Sequence, residues 1–249
     1  MNFTILRFDT IDSTNTEAAK QAKLGADEGL CVIAQQQTSG RGRHGRTWIS
    51  EKDSGLYFSI VLRPKIDMRF LPLITLMTGV AVYDALAEFG LKPDIKWVND
   101  ILIGDKKVCG ILAETVETPI GLAVIVGIGI NVTSQNFPDE IADTATSIEA
   151  ESLSGVIAVA EIETTLTKYL SYWYAILYGE NGHINIIGEW QRRSSYFSGK
   201  SVRVTLENEV FHGITDGLEE NGALRVKTSG GSVMIVQAGD VERLRPNNE

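Results

Sequence analysis

Glycine and arginine alternate between Gly40 and Arg46, and Trp48 follows two residues later. Arg41, Arg43 and Arg46 concentrate positive charge on this segment, although the whole chain has a formal net charge of −9. Glycine allows the backbone to approach a ligand closely, and the guanidinium group binds carboxylate or phosphate oxygens through two donors at once. We therefore expect this arginine loop (residues 40–48) to bind a small anion, with the Trp48 indole available to stack on a ring.

Two other interpretations of the arginine loop are open: a solvated charged loop, and a contact surface for nucleic acid. The net negative charge of the chain disfavours the second, because its long-range field repels nucleic acids and membrane surfaces. The loop alone therefore indicates an anion site without identifying the anion.

Three small polar residues, Ser13, Thr14 and Asn15, stand where a predicted strand meets a predicted helix. At such a junction the side chains and the first backbone amides of the helix offer hydrogen bonds to a ligand. Helix capping alone also explains them, since Thr14 and Glu17 have capping-box spacing. Gln37, just before the arginine loop, is a further polar candidate.

A third cluster combines a carboxylate with two lysines. Strand alternation would place Lys96, Val98 and Asp100 on one face, and Lys107 on the same face as Cys109. A lysine at the base of a hairpin is commonly exposed, and an Asn–Asp pair is also a turn signal. A carboxylate near lysine and arginine nevertheless suits a nucleotide site, because it can hold Mg²⁺ against phosphate oxygens.

A glycine pair lies in the apolar run before Asn131. Gly127 and Gly129 superficially resemble a dinucleotide-binding fingerprint, but the third glycine is missing and the run continues a strand. Glycines within a strand instead indicate a close approach of backbone or ligand.

The elements that must position these residues follow from hydrophobic periodicity. We predict strands over residues 3–8, 30–37, 56–62, 94–98, 100–103, 107–114 and 120–132. We predict helices over residues 14–25, 70–89 (ending at Gly90), 156–178 and 184–193, and a surface loop with short turns over 134–154. Strands at 202–206, 210–216, 223–227 and 233–236 indicate a small closed barrel. With a boundary near Tyr196, the domains are residues 1–195 and 196–249.

The composition is that of an ordinary globular protein, 43% hydrophobic and 22% charged. Cys31 and Cys109 lie in apolar runs, which predicts buried reduced thiols. We find no secretory signal and no apolar run of membrane-spanning length, so we expect a cytoplasmic protein without membrane partners. The histidines are isolated, and no zinc motif, Walker motif or nucleophile elbow is present.

Taken in order, the motifs resemble those of the biotin protein ligases. They occupy residues 13–15, 40–46, 96–100, 107–111 and 127–131, and the resemblance covers nearly the whole chain. It implies an α+β fold: a mixed sheet flanked by helices, like class II aminoacyl-tRNA synthetases, with a small C-terminal SH3-like β barrel. It also implies activation of biotin by ATP to biotinyl-5′-adenylate. Biotin then passes to one lysine of a biotin carboxyl carrier protein domain of a carboxylase.

The resemblance also implies residue roles. The implied biotin contacts are Ser13, Thr14, Asn15, Gln37, Gly40, Arg41, Gly42, Arg43, Lys107 and Gly110. The implied ATP contacts are Arg43, Arg46, Trp48, Asn99, Lys107 and Asn131. Arg41, Arg43 and Lys107 would be catalytic, with Lys107 bridging the biotin carboxylate and the α-phosphate. Asp100 would hold Mg²⁺ through the ATP phosphates.

Elementary electrostatics supports these implied roles. A carboxylate and a triphosphate must meet, and their repulsion is large in a dry site. Arg41, Arg43 and Lys107 would neutralise it and stabilise charge that develops at phosphorus. A glycine-rich loop that orders on ligand binding would also shield the mixed anhydride from water.

Several expectations compete with or qualify this interpretation. Lipoate protein ligases share the fold, but their arginine–arginine–double-glycine loop is absent here. A non-enzymatic nucleic-acid or anion-binding module is the alternative from a different class. The chain starts directly at the catalytic part, so we expect a ligase that does not bind DNA as a repressor. The sequence allows a homodimer, and it places Cys109 near the pocket, where alkylation would affect activity.

Overall fold

The main sheet has seven strands in a computed structural model that describes residues 1–134, 137–153, 155, 157–206 and 209–243. The strands are β1 (Thr4–Ile11), β2 (Leu30–Gln37), β3 (Gly55–Leu62), β4 (Pro93–Lys96), β5 (Asp100–Ile103), β6 (Lys106–Thr118) and β7 (Gly121–Asn131). Their order is β1-β2-β3-β7-β6-β5-β4. The sheet is mixed because β1 and β2 are parallel, whereas the other neighbours are antiparallel.

Six α-helices accompany the sheet in the described part of the chain. They are α1 (Thr14–Lys23), α2 (Leu73–Glu88), α3 (Asp139–Ala142), α4 (Ile148–Glu151), α5 (Val159–Leu177) and α6 (Gly182–Arg192). Gly90 ends the α2 region with a φ of 78°, as its position in the sequence predicts. No helix in these residues is long and apolar enough to cross a membrane.

The helices cover the two faces of the sheet unequally. Strand β3 is buried along its whole length, and one large apolar cluster joins the sheet to α2, α5 and α6. On the other face, Ala18 and Ala22 of α1 pack in a small cluster with residues of β2, β3 and β7. The short side chains of α1 bring its first turn close to the sheet, where the polar residues 13–15 lie.

The C-terminal part forms a five-stranded antiparallel sheet. Its strands are β8 (Ser198–Thr205), β9 (Val210–Leu218), β10 (Leu224–Thr228), β11 (Val233–Val236) and β12 (Asp240–Arg243), in the order β11-β10-β9-β8-β12. This small sheet beside a mixed sheet with helices confirms the predicted α+β fold. Its inner residues belong to the same apolar cluster as α2, so the two sheets share a continuous core.

Two local predictions, the capping box and the closed barrel, are wrong. Helix α1 has Ser13 rather than Thr14 as its N-cap, and Glu17 bonds to Lys20 and Gln21, so there is no capping box at Thr14. Within the predicted loop over 134–154, the expected short turns include the four-residue helices α3 and α4. The barrel lacks pairing between β11 and β12 over the described residues, so it is open there, and β12 itself was not predicted.

The connection between β4 and β5 also differs from the predicted alternation. Strand β4 ends at Lys96 and β5 begins at Asp100, so the two residues are paired across adjacent strands. The connecting residue Trp97 is buried, and its Nε1 donates to the Gly222 carbonyl at 3.0 Å. A tight turn therefore places Lys96 and Asp100 opposite each other on two adjacent strands. They are not alternating residues of one strand.

Candidate active site

A cavity of about 570 Å³ lies between the main sheet and the arginine loop. The predicted site residues that line it are Ser13, Thr14, Asn15, Gln37, Arg41, Gly42, Arg43, Arg46, Trp48, Asn99, Asp100, Lys107, Gly110 and Asn131. Gly40 instead lines an adjoining groove of about 600 Å³. A Cβ at Gly40 would lie 2.3 Å from the Trp48 carbonyl oxygen, so glycine is needed for the loop to pass there.

The uncharged end of the cavity is a hydrogen-bonded network at the start of α1. The Thr14 backbone amide donates to Gln37 Oε1 at 2.8 Å, and the Thr14 hydroxyl lies 3.1 Å from the same oxygen. Gln37 Nε2 donates to the Ser50 hydroxyl at 2.8 Å. These bonds fix the Gln37 amide and connect the start of α1 to the segment that carries the arginine loop.

Ser59 belongs to the same network, although none of the sequence motifs includes it. Its hydroxyl oxygen lies 2.7 Å from Thr14 Oγ1 and 2.6 Å from Asn15 Oδ1, and the residue is fully buried. A serine hydroxyl in a buried and largely apolar strand requires a polar partner. That requirement was the available sequence signal, and the partner is the predicted binding turn.

Arg41 makes a two-donor ion pair with Glu114 of β6. Its Nη1 and Nη2 donate to Oε1 and Oε2 of Glu114 at 3.0 Å and 2.7 Å. Glu114 Oε2 also accepts a hydrogen bond from Asn15 Nδ2 at 2.8 Å. The structure thus brings Arg41 to the cavity but aims its donors at a protein carboxylate.

Arg43 lies deeper and contacts uncharged acceptors. Its Nη1 donates to Asn99 Oδ1 at 3.0 Å and to the Gly239 carbonyl at 3.4 Å. Burial lowers the pKa of the Arg43 guanidinium, and the nearby Asp240 and Asp100 carboxylates oppose that change. An arginine keeps its charge under such conditions, so Arg43 supplies a partly desolvated cation to the cavity.

Arg46 extends to the C-terminal sheet. Its guanidinium forms an ion pair with Asp240, the first residue of β12, while the Arg43 bond reaches the preceding Gly239. The loop backbone is held by bonds between Gly42 and Arg46 at 2.7 Å and between Trp48 and Gly40 at 2.9 Å. The arginine loop is therefore closed on itself and attached to the small domain.

Lys107 is the cation that faces the loop from the sheet. Its Nζ lies 2.7 Å from Asp100 Oδ1 and 5.4 Å from the centre of the Trp48 ring. The main chain of Lys107 is held by Thr144 and Thr146 through bonds of 2.7 Å and 2.9 Å. These contacts point the ammonium group into the cavity, with Lys96 3.8 Å from the same carboxylate.

The two asparagines predicted for ATP act as connectors in this structure. Asn99 accepts from Arg43 and donates through Nδ2 to the Ile111 carbonyl at 2.9 Å. Asn131 is buried, and its Nδ2 donates to the Thr146 carbonyl at 2.9 Å. Asn99 thereby orients Arg43, and Asn131 supports the segment that holds Lys107.

The strand glycines make room for side chains of the site. A Cβ at Gly127 would lie 2.1 Å from Asn15 Oδ1, and one at Gly129 would lie 2.4 Å from the Trp48 ring. A Cβ at Gly110 would lie 3.0 Å from the same ring. The close approach predicted for the glycine pair is confirmed, and what approaches in this structure is a side chain.

We expect Gly129→Ala to displace Trp48 and to lower the free energy of unfolding by about 1–3 kcal/mol, because a ring packed against the strand must move. Denaturant unfolding and the KM for ATP measure the two effects. The matched control is Gly188→Ala on α6, where a Cβ meets nothing within 4 Å and the stability should not fall. Equal unfolding midpoints for Gly129→Ala and the unmodified protein would contradict this account.

Cys109 does not line the cavity, although it adjoins Gly110, which does. It is fully buried in the apolar core, and burial raises the pKa of its thiol. The pairing of β5 with β6 shifts register between Cys109 and Lys107. The two side chains therefore do not share one face of the strand, and Lys107 is the one that faces the cavity. Burial likewise raises the pKa of Cys31 to about 12. Both thiols are free and buried, as their apolar runs predict, so the proposed sensitivity to alkylation loses its basis.

Few of the side chains described in the structure could bind a metal ion. The described residues contain no group of three or more histidine, cysteine, aspartate or glutamate side chains able to hold an ion. Asp100 is a carboxylate in the cavity beside two lysines. Mg²⁺ commonly binds through one or two carboxylates together with substrate phosphates and water, so the residues fit a magnesium ion that arrives with a nucleotide.

Comparisons with known proteins agree with this architecture. The sequence matches the Biotin/lipoate A/B protein ligase family over residues 7–131 and the Biotin protein ligase C terminal domain over residues 197–244. Bifunctional ligase/repressor BirA of Bacillus spizizenii is 37% identical over 238 residues, which cover 94% of this chain and 72% of that protein. Biotin--[acetyl-CoA-carboxylase] ligase of Mycobacterium tuberculosis is 32% identical, over 94% of this chain and 86% of that protein.

A solved structure extends the likeness to three dimensions. Biotin protein ligase from Aquifex aeolicus, in complex with biotin and ATP, has a TM-score of 0.84 at 29% identity, over 97% of this chain and 99% of that one. The match over residues 7–131, together with the mixed sheet and its cavity, places the chain in the biotin/lipoate ligase class. Within that class the chain belongs to the biotin protein ligase family, as the motif resemblance predicts.

Proposed function

We propose that this protein activates biotin with ATP and transfers it to a lysine of a biotin carboxyl carrier protein domain of a carboxylase. The observation that carries the proposal is the convergence of Arg41, Arg43 and Lys107 on one cavity whose other end is uncharged and polar. Such a cavity suits a ligand that is neutral at one end and carries a carboxylate at the other. The names of the relatives and the biotin and ATP of the Aquifex aeolicus structure support the same reaction.

The chemistry requires two anions to touch. A biotin carboxylate oxygen attacks the α-phosphorus of ATP, the bond to pyrophosphate breaks, and a mixed anhydride forms. Two unit charges about 4 Å apart repel by about 4 kcal/mol at an effective dielectric constant of about 20. Lys107 and Arg43 offset this repulsion from opposite sides, since one lies on the sheet and the other on the loop.

Transfer to the acceptor is the second step. The acceptor lysine amine attacks the carbonyl carbon of the anhydride, AMP leaves with the electron pair of the broken C–O bond, and the amine releases its proton. The closed arginine loop keeps water away from the anhydride until the amine arrives. Mg²⁺, when bound with ATP at Asp100, would further neutralise the phosphate oxygens.

Individual contacts follow from the arrangement of the cavity. We assign the uncharged end, with Ser13, Thr14, Asn15 and Gln37, to the ring system of biotin. The side of the cavity near Arg46, Trp48, Asn99 and Asn131 is assigned to ATP. Gly40, Gly42 and Gly110 let the backbone approach these ligands, and Arg41, Arg43 and Lys107 surround the reacting groups.

The domain division is part of the proposal. Residues 1–195 would bind biotin and ATP, and residues 196–249 would form the SH3-like domain. Support comes from the two separate sheets and from the loop contacts at Gly239 and Asp240. The small domain thereby gains a role in holding the loop closed, in addition to any contact with the acceptor.

Exchange of labelled pyrophosphate into ATP tests the activation step. We expect exchange that depends on biotin, and transfer of biotin to a purified carrier domain when one is added. Lipoate replaces biotin in the control reaction and should give little exchange. Exchange that needs no biotin, or that prefers lipoate, would overturn the proposed substrate.

Three further properties belong to the same proposal. We propose that the protein does not bind DNA, because its net charge is −9 and Arg41 and Arg46 are engaged by its own carboxylates. We propose a cytoplasmic location, where ATP is available and free thiols persist. The third property is a homodimer, and light scattering with and without biotin tests it. Salt-dependent binding to duplex DNA would contradict the first property.

A further inference from the structure

Glu114 occupies a junction between two segments that are distant in sequence. It lies on β6, opposite Ile125 of β7, and its side chain is one-third exposed. Its carboxylate accepts two hydrogen bonds from Arg41 and one from Asn15. None of the sequence motifs includes Glu114, because a single glutamate in a strand carries no signal of its own.

The geometry points to Glu114 as a positioning residue that sets the affinity for biotin by joining the arginine loop to the start of α1. This inference rests on the proposed function, since it concerns the residues assigned there to biotin. Glu114 touches no reacting atom in this arrangement. It acts through Arg41 and Asn15, whose side chains it holds on the same edge of the cavity.

The pairing differs from an ordinary surface ion pair. An exposed pair between flexible side chains contributes little. Here both carboxylate oxygens are engaged by both Nη groups of Arg41, which is the fork geometry that gives direction as well as attraction. Asn15 shares one of these oxygens, so the position of Asn15 depends on a carboxylate that also positions the loop.

The network continues into the uncharged end of the cavity. Asn15 Nδ2 faces Glu114, while its Oδ1 faces the buried hydroxyl of Ser59. The orientation of the Asn15 amide is therefore fixed from both sides, with donor toward β6 and acceptor toward β3. Loss of the Glu114 charge would leave Asn15 Nδ2 with its longer hydrogen bond to the Leu112 carbonyl, at 3.3 Å, which holds the amide less firmly.

Removal of the charge is the direct test. We expect Glu114→Gln to raise the dissociation constant of biotin by about tenfold, because charged hydrogen bonds are lost to Arg41 and Asn15. The KM for ATP should change by less than about twofold, since no ATP contact is assigned to this edge. Titration calorimetry with biotin alone and exchange kinetics give the two numbers.

A second readout reports the loop directly. Limited proteolysis of the arginine loop, with and without saturating biotin, should show weaker protection by biotin in Glu114→Gln than in the unmodified protein. Glu117→Gln is the matched control, because Glu117 is an exposed glutamate on the same strand. Glu114→Asp, whose shorter side chain keeps the charge, should recover part of the affinity.

A double-mutant cycle separates positioning from general damage. Arg41→Met and Glu114→Gln together should weaken biotin binding by less than the sum of the two single effects, because both remove the Arg41–Glu114 pair and only Glu114→Gln also changes the bond to Asn15. Full additivity, or unchanged biotin affinity and protection in a folded Glu114→Gln protein, would overturn the inference. Absence of biotin-dependent exchange in the unmodified protein would instead overturn the proposed function, so the two failures are distinguishable.

Discussion

Replacement of Lys107 by methionine is expected to lower the rate of biotin-dependent pyrophosphate exchange by about 10²–10³-fold, the cost of losing one preorganised charge at a transition state. The Nζ of Lys107 reaches the cavity between Asp100 and Trp48, and its main chain is pinned on both sides by residues 144–146. A cation fixed in this way spends no energy on reorientation as charge develops at phosphorus. Methionine keeps most of the side-chain volume, so the change removes the charge rather than the packing.

The neighbouring lysine supplies the control for this prediction. Lys106 is exposed at the start of β6, so Lys106→Met should retain the exchange rate. Denaturant unfolding of both variants shows whether the fold is intact. A folded Lys107→Met protein that exchanges pyrophosphate within tenfold of the normal rate would remove Lys107 from the chemistry.

The elements that depend on local pattern were predictable. Strands β2, β5 and β11 have the predicted bounds, since apolar runs bounded by polar residues or turns define strands locally. The helix after the strand β3 was predicted, but its first residues lie in a turn and in a short 3₁₀ segment (Met68–Phe70). Boundaries of this kind depend on capping contacts that periodicity does not encode.

What sequence reasoning missed depends on contacts between distant strands. The alternation assumed for Lys96 and Asp100 failed because a three-residue connection reverses the chain between them. Strand β12 is short and largely charged, and it is recognised as a strand through its pairing with β8. The roles of Ser59 and Glu114 become visible only in the folded structure, where β3 and β6 lie against α1 and the arginine loop.

The carboxylates that pair with the cations of the site could also not be predicted from the sequence. The motifs identify the cations, but the structure pairs Arg41 with Glu114, Arg46 with Asp240 and Lys107 with Asp100. Arg43 differs, because the acceptors that it contacts in the described part of the chain are an amide oxygen and a main-chain carbonyl. Its charge is therefore the one least neutralised by direct contact, and it is available to a bound phosphate.

Because the Arg43 charge is the one least neutralised by direct contact, we expect its removal to have the second large effect. Arg43→Gly should release biotinyl-5′-adenylate about 10- to 100-fold faster, because the loop loses charged hydrogen bonds both to the ligand and to Asn99. Escaped adenylate acylates exposed lysines without selection. Incubation with biotin, ATP and serum albumin should therefore give strong diffuse biotinylation of the albumin, which a streptavidin blot measures.

The adjacent residue separates lost charge from added backbone freedom. His44 already has a left-handed φ of 54°, a conformation that glycine adopts readily. His44→Gly thus introduces a glycine into the same turn while Arg43 remains in contact with Asn99 and Gly239, and it should label albumin no more than the unmodified protein. If both glycine variants label albumin equally, loop flexibility and not the Arg43 contacts controls retention of the adenylate. If neither labels it above the unmodified protein, the loop does not retain the adenylate and the closure inferred from its contacts with β12 has no role in catalysis.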